Sequence, residues 1–193
     1  LPQKYLENAI AAYNRRKDDL IIAAISGDAQ AVDANGSVTA VPLPSAQKVV
    51  HNSTGLTKAK LLAAREILFG ADVDPDAPLI CPVTWKQQTD LLTITEATNA
   101  DYVQTKPLTE GKIANWLGIT FVPTNRLTLD GNGNRRVPLY TQEAIGLAWG
   151  QEAEVDIGPR RDKQNALQIY VDYALDATRV EDEKVVEIAC VES

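Results

Sequence analysis

Apolar residues recur every three to four positions from residue 2 to residue 25. Leu6, Ala9, Ile10, Tyr13, Leu20, Ile21 and Ala24 draw one stripe along a long amphipathic helix. Lys17 interrupts the stripe, but its aliphatic stem can lie along apolar surface. Ser26-Gly27-Asp28 ends it, and residues 29–45 read as a Gly-, Asp- and Pro-containing loop. Residues 47–52 read as a short strand. A second helix spans 57–69, with Thr57 at its N-cap and Gly70 beyond its end. Pro78 to Val83 is apolar without alternation, the pattern of a central strand buried on both faces. Thr84 then caps a short helix reaching Leu92, and 93–104 is polar loop.

The stretch DYVQTKPLTEGKIANWLGITFVPTNR, residues 101–126, reads as loop, short helix and strand. Pro107 suits a first helical turn. Leu108, Ile113, Trp116 and Leu117 supply an apolar face, and Gly118 ends the helix in the left-handed conformation. Ile119 and Phe121 alternate with Thr120 and Val122 in strand fashion. Residues 127–140 predict two strands around the turn Asp130-Gly-Asn-Gly-Asn134, and 142–149 a short helix capped by Thr141 and ended by Gly150. Glu152, Glu154 and Asp156 alternate with Ala153, Val155 and Ile157, which predicts a strand with one acidic face. Residues 159–163 form a charged connection to a long alternating strand, Leu167 to Asp176. A charged connection over 178–184 leads to a last strand at 185–191. Helices dominate early and strands late, so the predicted class is α+β.

The 193 residues are 45% hydrophobic and 23% charged, which is ordinary globular composition. No apolar run reaches 18 residues, so no helical membrane span is expected. No signal-peptide pattern opens the chain, and the absence of Met predicts that N-terminal sequence is missing. The net charge of −7 argues against a nucleic-acid reader. Cys81 and Cys190 sit in apolar strand-like runs; buried thiols and a disulfide both remain open.

Candidate chemistry is sparse. Asp130, Asn132 and Asn134 begin like a calcium loop, as do Asp72, Asp74 and Asp76. Both fail at the glycine and glutamate positions, where Arg135 and Thr141, or Ala77 and Val83, stand. His51 is the single histidine, so no two-histidine metal site exists, and it reads as a surface residue. Glu152, Glu154 and Asp156 admit two readings. One is a carboxylate pair for glycoside hydrolysis. The other is a stripe that meets a partner, with Arg160, Arg161 or Lys163 of a neighbouring copy as the counter-charge. Trp85, Trp116 and Trp149 read as core or interface anchors.

Five segments in order carry a family resemblance: K-D-D-x-I-I-A-A (17–24), T-G-L-T-K-A-K-L-x-x-A (54–64), P-L-I-C-P-V-T-W (78–85), L-T-E-G-K-I-x-x-x-L-G-I-x-F (108–121) and A-x-R-V-E-D-E-K-V-V-E-I (177–188). Their order and spacing resemble the major capsid proteins of tailed bacteriophages. That resemblance implies a two-lobed α+β subunit. A peripheral domain (1–70 and 151–178) would carry a long spine helix and a long β-hairpin. An axial domain (71–150 and 179–193) would carry a mixed central sheet with short helices. The family's N-terminal arm and extended loop have no counterpart in this chain. The implied function is structural: hexamers and pentamers of an icosahedral phage head enclosing double-stranded DNA without sequence-specific binding. An encapsulin-like compartment shell and a carboxylate-based hydrolase are the alternatives. The implied partners are the protein itself and scaffold and portal proteins, with no membrane. The implied location is the virion, and the host cytoplasm during assembly. No enzymatic activity, cofactor, metal or catalytic residue is expected. Glu152, Glu154, Asp156, Arg160 and Arg161 are the expected subunit-contact residues.

Overall fold

The structure, a computed structural model, describes residues 2–99 and 111–192. The predicted first helix is α1, Pro2–Ser26, closed where the Gly27 N–H donates to Ala23 O at 2.7 Å. The expected loop after it is instead a hairpin of β1, Ala29–Val32, and β2, Val38–Val41. Asp33 makes its turn, accepting the Asn35 and Ser37 N–H groups at 2.8 Å each. Nearly every side chain of this hairpin is exposed, so no apolar alternation marked the strands in advance.

Next come β3, Lys48–Val49, and α2, Lys58–Gly70, whose N-cap Thr57 accepts the Lys60 N–H. Gly70 is the last helical residue rather than the one past the end. The positive φ falls instead on Asp72, at 56°. β4, Leu79–Val83, leads into α3, Trp85–Leu92, through a capping box of Thr84 and Gln87. α4, Thr95–Thr98, occupies part of the expected polar loop.

Of the helix expected over 107–117, residues 107–110, including Pro107 and Leu108, lie outside the described residues. The rest is not helical. β5, Asn115–Trp116, pairs antiparallel with β6, Ile119–Pro123, through a two-residue turn at Leu117 (φ 54°) and Gly118 (φ 73°). Two successive positive φ values make this the tight turn that matches strand twist. The left-handed glycine was read correctly, but such a residue serves a helix end and a hairpin equally well. Strand β6 decides between them, because it takes Ala114 O as acceptor for the Phe121 N–H at 2.8 Å.

β7, Arg135–Thr141, follows the Asp130 turn; the other expected strand there is a single bridge, Leu129 to Arg135. The helix expected over 142–149 is absent. One 3-10 turn, Gln142–Ala144, opens into β8, Ile145–Arg160, which carries Trp149 and Gly150 as strand residues. Its partner β9, Ala166–Arg179, pairs from Ile145↔Arg179 to Arg160↔Ala166, and that long ladder overrides local helix propensity. β10, Val185–Cys190, completes the chain.

Among the described residues, β3, β10, β7, β4, β6 and β5 form one mixed sheet in that order. β4 runs parallel to β6 and antiparallel to β7, the central place its unbroken apolar run predicts. α2 packs on β10 and β3, and Leu61, Ala64 and Leu68 join Val137, Leu139 and Ile188 in the main core. Cys81 and Cys190 are free and buried there, and burial pushes the Cys190 thiol up to about 12.

α1 lies along the β8–β9 hairpin. Tyr13 meets Tyr173 edge-on at 4.8 Å, and the Lys17 ammonium sits 5.8 Å from the Trp149 ring centre, so the lysine that broke the stripe stays against apolar surface. Toward its C-terminal end α1 is tied down by guanidinium groups from the segment after β6, from β7 and from β9. Arg126 pairs with Asp19, Arg136 donates to Ser26 O, and Arg179 donates to Gly27 O at 2.6 Å.

Candidate functional site: the outer face of the long hairpin

Alternation along β9 sorts the hairpin into two faces. Ile169, Val171, Tyr173, Leu175 and Ala177 are half-buried on the side of α1, whereas Gln168, Tyr170, Asp172, Ala174 and Asp176 are exposed on the other. The register puts the β8 side chains on matching faces. Asp156 stands opposite Tyr170, Glu154 opposite Asp172 and Ala148 opposite Asp176. The outer face therefore carries Glu154, Asp156, Asp172 and Asp176.

The register places Glu154 and Asp156 on one face, as expected, and gives Glu152 no partner across the ladder. The ladder slips between Trp149 and Gln151 and again between Gln151 and Glu154, and Glu152 falls inside that bulged stretch. Asp172 and Asp176 complete the acidic face and were missed as site residues. Their signal was present, since they alternate with Val171, Tyr173 and Leu175, but the cross-strand register that sets Asp172 against Glu154 was not legible.

None of these carboxylates pairs with a Lys or Arg among the described residues. Arg160 at the hairpin end turns back to Asp162, with Nε at 2.9 Å, and Arg161 and Lys163 are exposed. Two carboxylates directly opposite across a ladder destabilise it by a few tenths to about 1 kcal/mol. A glycosidase instead holds its carboxylates across a cleft. Here Glu154 and Asp172 stand side by side on an open face.

The remaining candidates serve as turns and ties. Asp130 accepts the Asn132 and Asn134 N–H groups at 2.8 Å each and Asn134 Nδ2 at 2.9 Å, and these bonds, the Asn134 side chain first, hold its carboxyl below the usual range. Asp74 likewise accepts the Asp76 N–H at 3.0 Å. His51 is exposed in a turn, its Nδ1 accepting the Ser53 N–H at 3.0 Å. Among the described residues no cluster of His, Cys, Asp and Glu suits a metal ion, and no helix is long and apolar enough to cross a membrane. Trp116 packs against the main core, whereas Trp85 and Trp149 are 53% and 49% exposed.

Glu192, which the sequence did not single out, gathers the C-terminal end. It accepts Arg135 Nε at 2.9 Å and Nη2 at 2.6 Å, Gln87 Nε2 at 2.9 Å and Thr84 Oγ1 at 3.2 Å. The Arg135 hydrogen bond above all lowers its carboxyl from 4.5 to about 2. A carboxyl depressed by folding stabilises above its unfolded value and loses that contribution as pH falls. The shift sets a ceiling of about 3 kcal/mol, which solvent screening reduces to about 1–2 kcal/mol. Acid titration should show this stability disappearing between about pH 4.5 and about 2, and Glu192→Gln should remove that part of the pH dependence.

A family model described as phage capsid protein matches residues 1–192. A search of curated proteins returned no match. Among solved structures, a chain of Mycobacterium phage Che8 is 17% identical with a TM-score of 0.70, covering 95% of this chain and 61% of its own. The Cyanophage Pam1 capsid is 13% identical with a TM-score of 0.69, covering 97% of this chain and 67% of its own. The holo-SrpI encapsulin complex from Synechococcus elongatus is 12% identical with a TM-score of 0.56, covering 97% and 64%. The chain thus spans about three-fifths to two-thirds of the length of these structures, and at such identities they establish the fold alone.

Proposed function

The chain belongs to the phage capsid protein family, and from that membership we propose that it is the folded body of a major capsid subunit assembling into hexamers and pentamers of an icosahedral head. The whole-length family match carries this reading. The fold is the mixed α+β arrangement of tailed-phage capsids, with a long helix, a long hairpin and a mixed sheet. The open face of the hairpin supports a structural rather than enzymatic role: Glu154, Asp156, Tyr170 and Asp172 are exposed there and available to neighbours. Many repeated interfaces, each modest, give a stiff closed shell.

The subunit divides into a peripheral lobe of α1 and the hairpin and an axial lobe of the sheet with its short helices. The packing of α2 on β10 and β3 favours placing residues 58–70 in the axial lobe rather than beside α1. Glu152, Glu154, Asp156, Arg160 and Arg161 lie on exposed parts of the hairpin and act as subunit contacts. Scaffold and portal proteins, enclosed double-stranded DNA and a place in the phage head, after assembly in the host cytoplasm, complete this reading.

Electron microscopy of the full-length protein expressed with its neighbouring genes tests it. Closed shells are expected, and a protein that stays monomeric at every concentration overturns the proposal. The likeness to the encapsulin complex supplies a second reading, a compartment shell. Particles purified from the native host distinguish the two, because a head contains double-stranded DNA and a compartment contains a cargo protein.

A further inference from the structure

We infer that two copies of the chain meet through the outer faces of their long hairpins, antiparallel about a twofold axis near Gly158, each placing Arg161 and Lys163 on the carboxylates of the other. The inference rests on the proposed role as a shell subunit and names one of its contacts. Three observations lead to it.

The first is charge. Glu154 faces Asp172 across the ladder, with Asp156 and Asp176 on the same face, and none has a cationic partner among the described residues. Like charges opposed in register weaken the strand pair they sit on. A cationic group arriving from outside removes that penalty. The second is the hairpin end, where Arg161 and Lys163 are exposed and unpaired among the described residues, while Arg160 is turned back to Asp162. One hairpin therefore carries both halves of a complementary contact, which is what an isologous pair requires.

The third is Gly158. It lies on the outer face, opposite Gln168 and in line with Glu154 and Asp156. A Cβ added there meets nothing within 4 Å, and its φ is not positive, so neither packing nor backbone conformation within one chain calls for glycine. Glycine inside a strand carries an entropic cost and marks places where another backbone comes close. It stands three residues beyond Val155, the centre of the acidic stretch, and three before Arg161, about 10 Å from each. An axis through Gly158 thus superposes the basic end of each hairpin on the acidic middle of the other. Tyr170, 52% exposed beside it, adds apolar area to the seam.

The test uses the full-length protein expressed with its neighbouring genes. Gly158→Cys particles, oxidised mildly with copper phenanthroline, should give disulfide-linked dimers on a non-reducing gel. Two thiols bridge only when their Cα atoms lie within about 7 Å, and Cys81 and Cys190 are buried. Asp172→Lys with Glu154→Lys should lower the assembled fraction by about tenfold, as should Arg161→Glu with Lys163→Glu, and combining all four should restore it. Circular dichroism of each variant identifies any that fails to fold, and the Gly158→Cys cross-link then stands as the independent readout. Gly158→Cys shells that form but give no cross-linked dimers overturn the twofold pairing and leave the shell reading intact. Absence of shells from the wild type overturns both.

Discussion

Arg179→Met should destabilise the chain by about 3–5 kcal/mol, the cost of removing one partner from a buried ionic network. The Arg179 side chain is 0% exposed. Its Nη1 donates to Gly27 O at 2.6 Å and Ile25 O at 3.4 Å, its Nη2 to Val41 O at 2.9 Å, and its Nε pairs with Asp182. Ile25 is among the last residues of α1, whose terminal carbonyls have no partner within the helix. The guanidinium supplies donors to the end of α1, to β2 and to the residues after β9, so one side chain fixes where the helix, the small hairpin and the long hairpin converge. Met fills a similar volume but returns none of these bonds. Urea unfolding should show a lower midpoint at unchanged slope. Arg179→Lys should recover only part of the loss, because an ammonium cannot span the same fork of acceptors. A change below about 1 kcal/mol for Arg179→Met would falsify this account of the joint.

Lys60→Met is expected to cost about 2–4 kcal/mol for a related reason. Lys60 lies in α2, only 4% exposed, and its Nζ donates to Thr54 O at 2.7 Å, Gly55 O at 2.8 Å and Ala189 O at 2.9 Å. Those carbonyls belong to the loop before α2 and to β10, so the ammonium fastens the helix start to the sheet. Burial holds its pKa below the ordinary value of 10.5, opposed by the nearby Cys190 and Asp90. Desolvation of the charge therefore offsets part of what the three bonds contribute. Removing the ammonium strands three carbonyls at about 1–3 kcal/mol each, less that recovered desolvation. Thermal and urea unfolding of Lys60→Met and of the surface control Lys58→Met separate the two sites. Lys58 is half-buried, its side chain 42% exposed and paired with Glu96, and its loss should be within about 1 kcal/mol. Equal effects would place Lys60 on the surface in practice and end the argument.

Both residues show where the sequence stopped being informative. Lys60 stood next to the apolar residues of a correctly predicted helix, and Arg179 in a charged segment read as a connection. Each looked solvated, because nothing local tells a charge at the surface from one buried against distant carbonyls. Gln30-Ala31 and Thr39-Ala40 carried no apolar alternation, so β1 and β2 were read as loop. Residues 142–149 had helical spacing and a cap, yet the ladder with β9 drew most of them into a strand. Glu154 and Asp156 were identified as an exposed acidic stripe; Asp172 joined them only once the register was known.

The sequence by itself determined the long amphipathic helix, the buried central strand at Leu79–Val83, the caps at Thr57 and Thr84 and the alternation of β9. These follow from periodicity and capping within a few residues of chain. Tertiary structure alone decided the hairpin at Leu117-Gly118, the full length of β8, the bulge that sets Glu152 apart, and the burial of Lys60 and Arg179. Each depends on a partner many residues away. A backbone group or a charge takes the conformation that satisfies its hydrogen bonds, and whichever strand or carbonyl the fold brings alongside supplies them.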